Sequence, residues 1–277
     1  MRKPNLFLVG APKAGTSTVW AVLKEHKDIF FAQNPEKEVN YFSNTELKNN
    51  SYYKDYEIKS EKQYLNIFRK GQHIKYIADG SVSYFAYLSV PKKIYDFNPE
   101  AKIIIIVRDP IDRAFSHFKM DKRMGYAKNS LLDYLKNKDG KHDNYIHQYI
   151  ENSLYYKHTK NFLKYFDKKQ VLIMRLDQLK LDFDKLYKFL DIERPKSVVF
   201  PTINRDKEPT NNFTRMLQHN RHFAKVLKKF IPKKIARYFD FLIYKEAKKI
   251  YLTETERSIL KKYLIEDYNK FNNTYKK

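Results

Sequence analysis

Asn5-Leu6-Phe7-Leu8-Val9, followed by Gly10-Ala11-Pro12-Lys13-Ala14-Gly15-Thr16-Ser17, is the stretch that decides how this chain folds. Its first five residues are a short, nearly continuous apolar run, the mark of a strand buried on both faces. A loop over Gly10 to Thr16 comes next, and then a helical pattern from Ser17 to His26. Strand, loop and helix in that order bring backbone N–H groups and the positive end of a helix to one spot, which is a ready site for phosphate. The Gly10 to Gly15 spacing matches the nucleotide-triphosphatase loop G-x-x-x-x-G-K-[ST]. Thr16, however, stands where that loop carries its lysine, and the lysine lies inside the loop as Lys13. A glycine turn that only joins a strand to a helix would need the same glycines.

Outward from this unit the pattern repeats. Lys102 to Val107 reads Lys-Ile-Ile-Ile-Ile-Val, meets Arg108-Asp109-Pro110, and runs into a helix-patterned segment, Ile111 to Lys122. Pro110 suits a helix start, where its missing N–H costs nothing. Lys75 to Ala78 and Gln170 to Arg175 are further central strands. Apolar strands alternating with helices predict an α/β fold with a P-loop-like central parallel β-sheet, flanked by helices on both faces. Helical patterns at Tyr145 to Phe166, Asp182 to Leu190, Phe213 to Phe230 and Thr253 to Phe271 add a helical C-terminal region. Thr253 and Glu256 have capping-box spacing. Residues 196–212 are polar, contain Pro201 and Pro209, and are expected to be a loop. No repeat, low-complexity tract or linker divides the chain, so residues 1–277 are expected to form one domain.

The second unit offers its own chemistry. Arg108 ends a strand, where open α/β sheets bind ligands beyond the carboxyl ends. Ser116 lies eight residues on, two turns into the following helix, and is expected to face the same pocket. An arginine and a hydroxyl together suit a phosphate dianion. An ion pair of Arg108 with Asp109 or Asp112 would account for the arginine equally well.

Composition narrows the classes. The 277 residues include no cysteine, which excludes disulfide scaffolds, thiolate metal sites and cysteine nucleophiles. Subtracting 32 acidic from 55 basic side chains gives +23, carried by 43 Lys against 12 Arg. Base readers and tight phosphate clamps lean on arginine, whereas a lysine excess spread along the chain makes a generally basic surface that attracts polyanions. The longest apolar run, Ile103 to Val107, is far short of the roughly 20 residues that cross a bilayer. Met1 to Val9 is basic and then apolar, but Gly10, Pro12 and Lys13 interrupt it, so it is read as the first strand and the expected compartment is the cytoplasm.

Taken together, the two segments resemble the donor-binding motifs of the sulfotransferase family that uses 3'-phosphoadenosine 5'-phosphosulfate (PAPS). In that family a P-K-x-G-T-[ST] loop holds the 5'-phosphosulfate and an R-[DN]-P-x-x-R-x-x-S segment holds the 3'-phosphate; order, spacing and context match here. The resemblance leans toward the carbohydrate branch. Lys37-Glu38-Val39-Asn40-Tyr41-Phe42 is similar to K-E-x-x-[FY]-F of the heparan-type enzymes, where the glutamate is the proposed base. Tyr76 to Phe85 resembles their E-K-[ST]-P-x-Y-F strand and loop. Ser153 to Tyr156, Leu163, Phe166, Val171 to Leu179 and Phe189-Leu190 are similar to the later helix, strand and helix, so the likeness covers most of residues 5–215. This chain departs from the pattern at Gly80, where the heparan enzymes carry Lys, and at Asn40, where some carry His. No cysteine pair closes the distal loop, and Asn204 to Pro209 is expected in its place.

The resemblance implies roles. Lys13 would counter charge at the bridging oxygen as adenosine 3',5'-bisphosphate leaves. Pro12, Ala14, Gly15, Thr16, Ser17 and Thr18 would complete the 5'-phosphate cradle, and Arg108 and Ser116 would hold the 3'-phosphate, with Arg205 or Lys207 reaching it from the distal loop. Glu38 would take the acceptor's proton, with His117 as the alternative base, although its place beside Ser116 favours packing. No metal is called for, and the eight His show no ligand spacing. The expected acceptor is a hydroxyl or amine, above all of a glycan, with an anionic glycan or lipid-linked saccharide guided by the basic surface; peripheral membrane contact fits the same charge. A bacterial cytoplasmic enzyme is expected rather than a Golgi one. Two other classes fit parts of the sequence: a nucleic-acid or polyanion binder using the lysine-rich stretch 221–277, and a P-loop kinase, which the displaced lysine weakens. No nucleic-acid motif is present, and nucleic acid is not an expected partner.

Overall fold

The computed structural model describes residues 1–32, 37–47, 58–136, 143–195, 198, 200, 207–209, 244–246 and 249–275, with 207–209 and 244–246 described by their backbone. Strands β1 (Leu6–Gly10), β2 (Ile29–Phe31), β3 (Tyr76–Asp79), β4 (Lys102–Val107) and β5 (Val171–Arg175) form one sheet in the order β2-β3-β1-β4-β5. Every pairing in it is parallel. β1 and β3 are buried along their whole length and β4 from Ile103 to Val107, as runs without alternation require in a sheet covered on both faces. Replacing any one of Ile103 to Ile106 by Ala would remove contacts on a fully buried site and cost roughly 2–5 kcal/mol.

Helix α1 (Thr16–Lys24) follows β1; α2 (Asn44–Leu47) and α3 (Glu61–Asn66) precede β3; α4 (Val90–Phe97) joins β3 to β4. Then α5 (Pro110–Met124), α6 (Leu131–Leu135), α7 (Asp143–Tyr149) and α8 (Tyr155–Phe162) lead to β5, with α9 (Leu179–Leu190) after it. The β1 to β2 connection runs toward one edge of the sheet and the β3 to β4 and β4 to β5 connections toward the other. Right-handed crossovers therefore set α1 on one face and α4 with α8 on the opposite face. Side chains agree: His26, just past α1, packs its ring 6.1 Å from Tyr187 of α9. On the other face the Asn161 amide of α8 donates to the Leu88 carbonyl ahead of α4 at 2.9 Å.

The last helix, α10 (Glu254–Tyr275), is tied down by its own acid. Asp267 accepts the N–H groups of Tyr156 and Lys157, each at 2.9 Å, so a carboxylate sits on the positive end of α8. Glu256 N–H donates to Thr253 Oγ1 and Thr253 N–H to Glu256 Oε2, the capping box that the spacing predicts. Leu260 and Leu264 join a second apolar cluster with Phe118, Leu131 and Tyr149.

The structure corrects several expectations. The helical pattern from Tyr145 to Phe166 is two helices, α7 and α8, separated by a 3-10 turn at Glu151–Ser153. Arg113 of α5 takes the carbonyls of Gln148 and Tyr149 as acceptors, and Ser153 Oγ also donates to Tyr149, so the helical bonding ends there. β2 was not legible, being only three residues long. Gln170 belongs to a capping turn with Asp167 rather than to the strand. Within the expected loop 196–212, Lys207–Pro209 forms β6, antiparallel to β7 (Tyr244–Glu246). The expected helix over 213–230 and Arg205 lie outside the described residues, and Lys207 is described by its backbone.

Candidate active site

Strand order creates the site. β1 hands the chain to one side of the sheet and its neighbour β4 hands it to the other, which opens a crevice between their carboxyl ends. The loop after β1 and the start of α5 after β4 both border it.

The loop is shaped by close backbone approach. Gly10 has φ +141°, and a Cβ there would sit 2.6 Å from Phe85 Cβ and 3.1 Å from the Val82 carbonyl. Gly15 has φ +96°, and a Cβ there would lie 2.6 Å from Leu176 Cδ1. Lys13 between them also has positive φ, +66°. Ala11 N–H donates to the Ile106 carbonyl of β4 at 2.7 Å. Two arginines hold the loop from outside: Arg108 Nη1 donates to the Lys13 carbonyl and Arg113 Nη1 to the Pro12 carbonyl, each at 3.4 Å. Arg108 also pairs with Asp112 at 3.7 Å, the ion pair that the sequence offers as one account of this arginine. Pro12, Ala14 and Thr16 are buried, while Gly15, Ser17, Thr18 and Ser116 are partly exposed. α1 starts at Thr16 with Gly15 as its cap, and its own first turn carries no acid to compete for its first N–H groups and the helix dipole.

Lys13 is most of the way to buried, with Nζ 3.6 Å from Met120 Sδ. Desolvation, then the charge of Arg123, and more weakly Lys37 and Arg113, bring its ammonium down to about 8, with Asp121 opposing. Asp121 is itself buried and pushed well above the usual carboxylate range, its Oδ2 accepting from Tyr149 at 2.8 Å.

Glu38 lies across the crevice with φ +59°. Its Oε2 accepts from Val82 N–H at 3.0 Å, its Oε1 is 3.4 Å from Lys37 Nζ, and its own N–H donates to the Gly80 carbonyl. Beneath it runs a buried polar network. Asn40 N–H donates to Ser81 Oγ at 2.9 Å and its Nδ2 to the Glu38 carbonyl at 3.0 Å. Ser81 donates to Asp79, which also accepts from Tyr64 and Tyr84. Burial raises Asp79 to about 6 against the lowering effect of these three hydroxyls, with Glu38 adding to the rise.

His117 is turned into the protein, 1% exposed, with Nδ1 3.2 Å from Arg113 Nη1. Burial first, and then Arg113, hold its imidazole well below its ordinary pKa, so it is neutral. Three residues were not singled out from sequence. Arg113 is fully buried and spends its guanidinium on Ser153, Pro12, Gln148 and Tyr149; its place in the R-D-P-x-x-R spacing was the available signal. Lys37 is the lysine of the K-E-x-x-[FY]-F likeness, and Asp79, which ends β3, stands at the glutamate position of the E-K-[ST]-P likeness; those motif positions were the available signals. Among the described residues no three His, Asp or Glu side chains group as metal ligands would, and no helix is long and apolar enough to cross a membrane.

The sulfotransferase domain family matches residues 3–258. Heparan sulfate glucosamine 3-O-sulfotransferase 5 of Mus musculus is 30% identical over 186 residues, covering 64% of this chain and 49% of its own length. Bifunctional heparan sulfate N-deacetylase/N-sulfotransferase 1 of Caenorhabditis elegans is 25% identical over 202 residues, covering 68% of this chain and 22% of its own length. This chain thus spans about half, or less, of the curated relatives it matches. The crystal structure of a sulfotransferase from Alicyclobacillus acidocaldarius has the same fold, with a TM-score of 0.62 at 24% identity over 81% of this chain and 93% of that one.

Proposed function

The chain belongs to the sulfotransferase domain family, and from that premise we propose that it moves a sulfuryl group from PAPS to a hydroxyl or amine of a carbohydrate. The observation that carries this reading is the bond from Arg108 Nη1 to the Lys13 carbonyl, by which two anion-binding segments 95 positions apart share one crevice. A cradle for a 5'-phosphate and an arginine for a second phosphate then lie side by side, as a nucleotide phosphorylated at both ends requires. The relatives named for heparan sulfate support a glycan acceptor. One domain over residues 1–277, acting in the cytoplasm, belongs to the same proposal.

The donor supplies an activated sulfur bonded to a phosphate oxygen. The protein's own work is alignment and charge, much as in phosphoryl transfer. Lys13, Ser17 and the first N–H groups of α1 bind the phosphate end. Thr16 and Thr18 support that cradle, and Arg108 with Ser116 binds the 3'-phosphate. Glu38 is anchored through one carboxylate oxygen by Val82 N–H, which leaves Oε1 beside Lys37 to accept the acceptor's proton. General-base help of this kind contributes about 100- to 10,000-fold.

Calorimetric titration with adenosine 3',5'-bisphosphate, ADP and ATP-Mg at two salt concentrations tests the reading. One-to-one binding of the bisphosphate with ADP much weaker is the expected result. Equal, salt-sensitive binding of all three would instead mean a polyanion-binding surface, and preference for ATP-Mg would mean a kinase.

A further inference from the structure

Lys37 occupies a position that its charge does not favour by itself. Its Nζ donates to Ser17 Oγ at 3.0 Å, lies 3.5 Å from Thr16 Oγ1 and 3.4 Å from Glu38 Oε1, and its side chain is 18% exposed. It is thus a cation held at the first turn of α1, where the helix dipole is positive and repels it. It is also close enough to Lys13 to depress that ammonium. Among the described residues the carboxylate it reaches is Glu38.

The stem of Lys37 is placed rather than free. It crosses Gly80, where a Cβ would stand 3.5 Å from Lys37 Cγ and 3.4 Å from both Phe31 and Trp20. These are ordinary contact distances, so the stem runs along the Gly80 backbone on its way to the loop. Its ammonium ends between a hydroxyl of the phosphate cradle and the carboxylate assigned as base. In an in-line transfer the sulfur passes between the phosphate oxygen it leaves and the acceptor oxygen that Glu38 deprotonates.

We infer that Lys37 is a catalytic residue that binds the oxygens of the transferring sulfuryl group. This rests on the proposed sulfotransferase reading and assigns a residue to its reacting centre. The acceptor oxygen forms a bond to sulfur while the bond from sulfur to the bridging oxygen breaks. The electron pair goes to the 5'-phosphate of the departing adenosine 3',5'-bisphosphate, and the acceptor proton goes to Glu38. Lys37 keeps its protons throughout and neutralises charge on the sulfuryl oxygens.

The test compares ligands with and without the sulfuryl group. In Lys37→Met, affinity for PAPS is expected to fall about tenfold or more while that for adenosine 3',5'-bisphosphate changes by less than about threefold, since one charged hydrogen bond is lost to one ligand only. Release of the bisphosphate from PAPS, with water or a desulfated heparosan oligosaccharide as acceptor, is expected to slow by about 100-fold, and Lys37→Arg to recover most of it. Retained bisphosphate binding also certifies the fold of the variant; if Lys37→Met loses it, Lys37→Gln is measured in the same way. Equal weakening of both ligands in both variants, or no change in either, overturns the role. A wild-type protein that does not bind the bisphosphate overturns the sulfotransferase reading itself, which separates the two failures.

Discussion

Arg113 Nη1 and the Pro12 carbonyl, 101 positions apart in the chain, are joined by a hydrogen bond of 3.4 Å that fastens the loop after β1 to the helix after β4. The same guanidinium reaches the carbonyls of Gln148 and Tyr149 at 2.6 and 2.9 Å and Ser153 Oγ at 2.6 Å. Burial lowers its pKa to about 10, which leaves it charged at neutral pH. Arg113→Met should strand these acceptors in the interior at a cost of about 1–3 kcal/mol for each one left unpaired. A lower urea midpoint together with weaker bisphosphate binding is expected. An unchanged midpoint would mean that water or relaxation replaces the guanidinium.

Glu38→Gln keeps the size of the side chain and can still accept from Val82 N–H, but it cannot take a proton. Turnover should fall by about 100- to 10,000-fold while adenosine 3',5'-bisphosphate binds with near wild-type affinity. Steady-state rates beside a calorimetric Kd decide it, and near-normal turnover would refute the assignment of the base.

Arg108→Ala and Ser116→Ala should act chiefly on the 3'-phosphate, with a smaller effect of Arg108→Ala through its bond to the Lys13 carbonyl. A charged hydrogen bond of this kind is worth about 1.5–3 kcal/mol, or roughly 10- to 150-fold, for arginine, and less for serine. The preference for adenosine 3',5'-bisphosphate over AMP should shrink by that factor. If both ligands weaken together, these residues serve the loop rather than the second phosphate.

Desolvation chiefly, and then the charge of Arg123, lower the Lys13 ammonium to about 8. An anionic ligand stabilises the ammonium and raises that value, so binding takes up a proton above pH 8. Affinity for the bisphosphate should be level below pH 8 and fall by up to about tenfold per pH unit above it. Calorimetry at pH 8.5 in two buffers of different ionisation enthalpy measures the uptake directly. Lys13→Arg should abolish it, and a wild-type protein that takes up no proton would show that Lys13 does not meet the ligand.

Asp79 titrates near 6 because it is fully buried, against an ordinary value of 3.8. Since the folded value is the higher one, the contribution to stability is fully present below about pH 3.8 and is lost as pH rises through about 6. Relative to Asp79→Asn, the wild-type protein should therefore lose stability between pH 4 and pH 7. Parallel urea midpoints for the two proteins across that window would contradict the shift.

Local chemistry made much of the scaffold readable before any coordinates. Continuous apolar runs fix buried strands, and β4 keeps the limits Lys102 to Val107 that its isoleucines imply. Gly10 and Gly15 are needed because neighbouring side chains come within 2.6 Å of where a Cβ would be. Arg108 stands at the crevice because a strand end and a sheet order together put it there. What periodicity could not foresee was the break at 150–154. The pattern on either side is helical, and the interruption comes from Arg113, a side chain some forty positions earlier, which takes up helix carbonyls.

The sequence by itself determined the parallel α/β pattern of strands and helices and the glycine-turned loop after β1, because each depends on residues close in the chain, whereas the sheet order brings that loop beside Arg108. Only the tertiary structure decided the charges inside the crevice. Lys13 is held to about 8 by burial and by Arg123, Lys37 rests on Ser17 beside Gly80, and Glu38 is steadied by Val82 N–H and by Asn40 over the Asp79 network. Desolvation and Coulomb energy depend on distances between segments that only folding brings together, so no local pattern of residues encodes them.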